Sequence, residues 1–145
     1  MRHYTKENFQ PADSVGFLLS KARNVIMRDM DAALKAVDIT AQQMGIIMYV
    51  GRGVVNTPFE LSKLLEIDSG LMTRMLDKLE KADFLVRTRS VEDRRIVHLQ
   101  LTEKGLLLTR EIPKIAPEVL NERLKDFSQE EFRELQRLLQ KFVNT

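Results

Sequence analysis

The sequence predicts a mostly α-helical fold with one β-hairpin, because helix-capping signatures recur along it and two short β-rich runs flank a charged turn after its midpoint. Two of the capped helices are separated by only a few residues, and the hairpin follows at once. That order defines a winged helix-turn-helix, and long apolar-striped helices before and after it supply a helical dimerisation region.

Composition sets the outer limits. At 145 residues with 43% apolar side chains, the chain is about one domain long and can bury a continuous core. It has no cysteine, which excludes disulfides, thiolate metal sites and a cysteine redox sensor within this chain. His3 and His98 are too few for a histidine metal cluster, so neither a metal nor a cofactor is expected. No run approaches the ~20 apolar residues that span a bilayer, and the start lacks the apolar core of a secretory signal. A cytoplasmic protein with no membrane partner is the expectation. A net charge of +2, from 23 Lys and Arg against 21 Asp and Glu, argues only weakly for a polyanionic partner. Affinity for nucleic acid depends on the charge at the contact face, not on the sum over the chain.

Residues 1 to 12 show no period and contain Pro11, which reads as a mobile or docking arm. The first helix starts near Asp13 or Ser14, either of which can cap it. Its apolar positions, from Val15, Leu18, Leu19 and Ala22 to Met30, Leu34 and Val37, recur at threes and fours. Thr40-Ala41-Gln42-Gln43 has capping-box spacing and opens a second helix that stops at Gly51 or Gly53. Thr57-Pro58-Phe59-Glu60 opens a short third helix to about Leu65, with proline where a missing N–H costs nothing. Asp68 caps the fourth, stapled by Ile67 and Met72.

Two strands follow, Phe84 to Arg89 and Ile96 to Leu101, with Val97, Leu99 and Leu101 toward the core. Ser90 to Arg95 forms the solvated tip between them. Thr102 caps a fifth helix in which Pro113 and Pro117 predict a kink or break near Ile112. Ser128-Gln129-Glu130-Glu131 opens the last helix, whose stripe is Phe132, Leu135, Leu138, Leu139 and Phe142. No internal repeat or low-complexity tract interrupts this order.

The chemistry-bearing residues concentrate between Ile67 and Thr102. The fourth helix presents Ser69, Gly70, Thr73, Arg74 and Lys78 on its outer side, small or polar first and cationic further along. In a major groove Ser69, Thr73 and Arg74 can reach base edges or phosphates, and Gly70 lets the backbone approach. Arg74 is the favoured base reader, since a guanidinium can take guanine O6 and N7 together. Taken alone, that face is equally an ordinary solvated surface. The hairpin adds Arg87, Arg89, Arg94 and Arg95, four guanidiniums within nine residues. Arginine is favoured in a narrow minor groove, where negative potential is focused. Asp93 is expected to hold one of its neighbouring arginines through a charge-assisted hydrogen bond.

The run Asp93-Arg94-Arg95-Ile96-Val97-His98-Leu99-Gln100-Leu101-Thr102-Glu103-Lys104-Gly105 resembles the wing signature of the MarR family of bacterial transcription regulators. Thr73-Arg74-Met75-Leu76-Asp77-Lys78-Leu79-Glu80-Lys81 resembles that family's recognition helix, and the six-helix layout also agrees. The resemblance implies a homodimer that reads a palindromic DNA operator, with a small phenolic or aromatic carboxylate effector bound between the dimerisation and DNA-binding regions. Phe17, Met44 and Met48 are plausible lining residues for that effector and are equally ordinary core.

These readings divide the chain into an arm and first helix at 1–39, a winged helix-turn-helix at 40–102 and C-terminal dimerisation helices at 103–145. The expected function is a ligand-responsive repressor. A winged-helix protein-interaction module that leaves DNA alone is the alternative. An enzyme is disfavoured, because the sequence has no nucleophile elbow, phosphate-cradling loop or metal-ligand spacing and no catalytic residues are expected.

Overall fold

Ser14 starts α1 (Val15–Leu34) by accepting the Phe17 amide on its hydroxyl at 3.2 Å. The structure, a computed structural model, describes residues 1–144. The segment before α1 is folded against it, which corrects the expectation of a mobile arm. Tyr4 and Phe9 meet edge to face at 5.6 Å, a 3-10 turn covers Pro11–Asp13, and the Tyr4 hydroxyl accepts the Val15 amide at 2.8 Å. An orphan N–H at a helix start needs an acceptor, and Tyr4 supplies one.

α1 ends in a 3-10 turn, Lys35–Val37, and reverses at Asp38 in the left-handed region. Only its C-terminal half enters the core, through Met30 and Leu34; Val15, Phe17 and Leu18 remain exposed. α2 (Ala41–Gly51) opens with the expected box: Thr40 Oγ1 accepts the Gln43 amide at 3.3 Å and Gln43 Oε1 accepts the Thr40 amide at 3.0 Å. Asp31 of α1 accepts the next orphan amide, that of Ala41, at 2.7 Å, so the start of α2 is tied to α1. Ile46, Ile47 and Val50 of α2 are buried and make it central.

Thr57 caps α3 (Pro58–Leu64) and Asp68 caps α4 (Ser69–Lys81). The strands β1 (Leu85–Arg89) and β2 (Val97–Leu101) pair antiparallel, with Leu85 opposite Leu101 and Arg89 opposite Val97. Leu99 and Leu101 are buried while His98 and Gln100 face out, the alternation that period-two geometry requires.

Thr102 caps α5 (Glu103–Leu124), accepting the Gly105 amide at 3.1 Å and donating to the Asp83 carbonyl at 2.6 Å. A Cβ on Gly105 would lie 2.0 Å from the Phe84 carbonyl oxygen, so glycine alone lets α5 close on the α4–β1 junction. The expected break in α5 does not occur. Pro113 and Pro117 lie inside one continuous helix. Being four residues apart they share a face, so the two lost bonds, to the carbonyls of Thr109 and Pro113, fall on that face and the rest of the ladder carries the helix through. Ser128 opens α6 (Gln129–Val143) with a full capping box.

One buried cluster joins the end of α1 with α2, α3, α4, the hairpin and the first half of α5. The mostly helical, winged arrangement is the one expected from sequence. α6 contributes nothing fully buried, and its Leu135, Leu138, Leu139 and Phe142 remain exposed. No helix among the described residues is long and apolar enough to cross a membrane.

Candidate nucleic-acid interface

The helix-turn-helix turn is short because Leu65 ends α3 and Asp68 already caps α4, with Glu66 between them at φ 51°. Asp68 Oδ2 accepts the Leu71 amide at 3.1 Å. A Cβ on Gly70 would sit 3.1 Å from that carboxylate and 3.6 Å from Arg74 Nη1, so the missing side chain leaves room for both over the first turn. Met72, Met75, Leu76 and Leu79 bury one side of α4. Ser69, Thr73, Arg74 and Lys78 are exposed on the other. Thr73 spends its hydroxyl hydrogen on the Ser69 carbonyl at 2.9 Å and keeps only its methyl and acceptor lone pairs for an external partner.

The wing tip is a hydrogen-bonded turn. Ser90 donates its amide to the Ile96 carbonyl and Ile96 donates to that of Asp93, both at 2.9 Å. Asp93 Oδ1 accepts the backbone amide of Arg95 at 3.0 Å. The expectation that Asp93 grips a neighbouring guanidinium is therefore corrected. A short carboxylate reaches the amide two residues on more readily than a long side chain that projects outward. Among the described residues the guanidiniums of Arg74, Arg89, Arg94 and Arg95 and the ammonium of Lys78 have no hydrogen-bond or ion-pair partner.

Arg87 departs from the other wing arginines. Its Nη2 donates to Asp77 Oδ1 at 2.6 Å and to Glu80 Oε1 at 2.9 Å, and its backbone amide donates to Glu80 Oε2 at 3.0 Å. The hydrogen bond from Arg87 holds the Glu80 carboxyl below the usual carboxylate range, and Glu80 followed by Asp77 raises the Arg87 guanidinium further. Arg87 is thus committed within the chain and is not one of the available cations. Its partners lie seven and ten residues away on a different element, which no wing pattern reveals.

A second concavity, of about 610 Å³, lies between α2 and α5 with α6 at one end. Met44 and Met48 line it with Tyr49, Arg52, Pro113, Pro117 and Phe132. Phe17 does not join them; it lies exposed beside Lys21, Asn24 and Arg28 on α1. Helical spacing alone had grouped Phe17 with the methionines, but α1 turns that side away from α2. Arg52, Tyr49 and the two prolines escaped the sequence reading, although a proline pair inside an amphipathic helix was a usable signal for a concave face. Among the described residues, no group of three or more His, Cys, Asp or Glu side chains is placed to hold a metal ion.

The close helix pair and its arginine-tipped hairpin define a winged-helix DNA-binding protein. The MarR family model matches residues 39–97. The transcriptional regulator SarZ of Staphylococcus saprophyticus is 30% identical over 128 residues, covering 88% of this chain and 86% of that protein. Reduced MarR from E. coli superposes with a TM-score of 0.79 at 29% identity, covering 90% of this chain and 96% of that one. A mutant MarR from E. coli complexed with operator DNA gives 0.79 and 29%, over 89% and 93%. The chain belongs to the MarR family and is a DNA-binding transcriptional regulator.

Proposed function

We propose that the protein acts as a homodimeric repressor that holds a palindromic operator and releases it when a small aromatic or phenolic carboxylate enters the α2–α5 cleft. The observation that carries this reading is the set of unpartnered cations, Arg74 and Lys78 on α4 with Arg89, Arg94 and Arg95 on the wing. α4 enters a major groove with Ser69, Gly70, Thr73, Arg74 and Lys78 toward the DNA, and the wing arginines take the adjacent minor groove or phosphates. Asp93 serves by shaping the tip.

Residues 40–102 form the DNA-binding part, and 1–39 with 103–145 form the dimerisation part. In support of a dimer, Leu135 and Leu139 of α6 face Val15, Leu18, Leu19 and Ile26 of α1 across an open apolar groove. A second copy brings the same stripes to fill it, as an isologous contact does. Two recognition helices related by a two-fold axis require half-sites about 10 base pairs apart. The effector reading is supported by the cleft's apolar walls and by Arg52, which has no partner among the described residues. A ligand that prefers a dimer with displaced recognition helices depopulates the DNA-competent form. The regulator needs no catalytic step.

The test is a binding titration on duplexes from the protein's own upstream region at several salt concentrations. Specific binding should fall with salt, and Arg94→Ala with Arg95→Ala should lower the affinity and reduce the log–log salt slope by about two, one for each lost phosphate contact. An unchanged slope refutes the wing assignment. Weak retention without sequence preference favours the protein-interaction module instead.

A further inference from the structure

Arg87 sits at the middle of β1, opposite Leu99. The two backbone amides of that pair point away from each other: Leu99 donates to the Asn56 carbonyl at 2.7 Å and Arg87 donates to Glu80 at 3.0 Å. β1 is therefore an outer strand, and what covers its free edge is the C-terminal half of α4. Both Glu80 oxygens are occupied by the same residue, one by its amide and the other by its guanidinium, while Asp77 one turn earlier takes Nη2. A planar guanidinium held on two carboxylates, with the adjacent main chain held as well, leaves little freedom for the strand to swing on the helix.

We propose that Arg87 is a positioning residue that fixes the angle between the wing and α4, so that both meet one operator half-site as a single rigid body. The inference rests on the DNA-binding reading for its consequence but not for its geometry. Without the clamp the hairpin is attached to α4 by the turn at Ala82–Phe84 and by its apolar face alone. The wing then samples several angles, and operator binding must first select the right one.

The absence of native cysteine allows the geometry to be read directly. Ser69→Cys with Val91→Cys places a spin label at the start of α4 and one at the wing tip, and dilution with unlabelled protein isolates the distance within one chain. The distance distribution should be narrow in this parent and broaden in Arg87→Met, which keeps the aliphatic stem, with Arg87→Lys between them. In parallel, operator titrations of the unlabelled variants should show Arg87→Met binding about tenfold more weakly with an unchanged salt slope.

The pair Asp77→Asn with Glu80→Gln separates positioning from contact. Removing two negative charges near DNA would tighten binding if Arg87 were a phosphate ligand held in reserve, whereas loss of the clamp weakens it. A distribution equally narrow in Arg87→Met overturns the proposal, as does a salt slope that falls by about one in that variant or tighter binding by the neutralised pair. The label distances need no DNA, so a protein that bound no operator would still confirm or refute the clamp.

Discussion

Arg52 and Glu80 are each decided by the few atoms around them. Arg52 lies at the mouth of the cleft with Tyr49 and has no acidic neighbour paired to it among the described residues. If it is the counter-ion of an anionic effector, Arg52→Gln should abolish the thermal shift produced by aromatic acids while leaving operator binding unchanged; a retained shift would place the ligand elsewhere. Glu80 ties stability to pH. Its carboxyl is lowered from the ordinary value of 4.5, chiefly by the hydrogen bond from Arg87. The folded state thus binds its proton less readily than the unfolded state. The pair stabilises fully above the unfolded value, and that contribution is lost as pH falls through the depressed folded value. Urea unfolding across the acid limb should show a shallower decline for Glu80→Gln than for the parent. Asp29, lowered mainly by its hydrogen bond from Arg123, acts in the same direction between α1 and α5.

Helix α5 shows how an element reconciles conflicting local signals. Thr102 and Gly105 start it firmly, two prolines oppose its continuation, and burial of Leu108 and Ile112 against the core decides the outcome. Such tertiary packing outweighs the ~3 kcal/mol that an interior proline costs. Pro113→Ala should therefore raise the midpoint of denaturant unfolding, by about 1 to 3 kcal/mol in stability, with the helix otherwise unchanged. A loss of stability would mean that the proline ring is needed for packing in the cleft. The sequence located every helix through side-chain-to-backbone caps that span only three residues. It misjudged α5 because a proline's cost is local whereas its compensation comes from residues on other elements.

For the whole molecule, the uncovered surface matters more than the core. The core closes around the winged helix, and the N-terminal half of α1 and the stripe of α6 remain exposed. Leu139→Glu puts a charge into the open groove between them. Sedimentation should then show monomers, circular dichroism should retain the helical signal of the winged helix, and operator affinity should collapse, since two half-sites can no longer be held together. A variant that remains dimeric would move the interface away from α1 and α6.

The amino-acid sequence by itself determined the order of elements, the caps at Ser14, Thr40, Thr57, Asp68, Thr102 and Ser128, and the charged character of the wing tip. Each of these depends on residues at most a few positions apart, so spacing is enough to read them. Only the tertiary structure decided that Arg87 is committed to Asp77 and Glu80. The same is true of Asp93 bonding to main chain and of Met44 and Met48 sharing a cleft from which Phe17 is absent. Those outcomes depend on the angles at which α1, α4, α5 and the hairpin pack, and packing angles follow from the shape of the whole core.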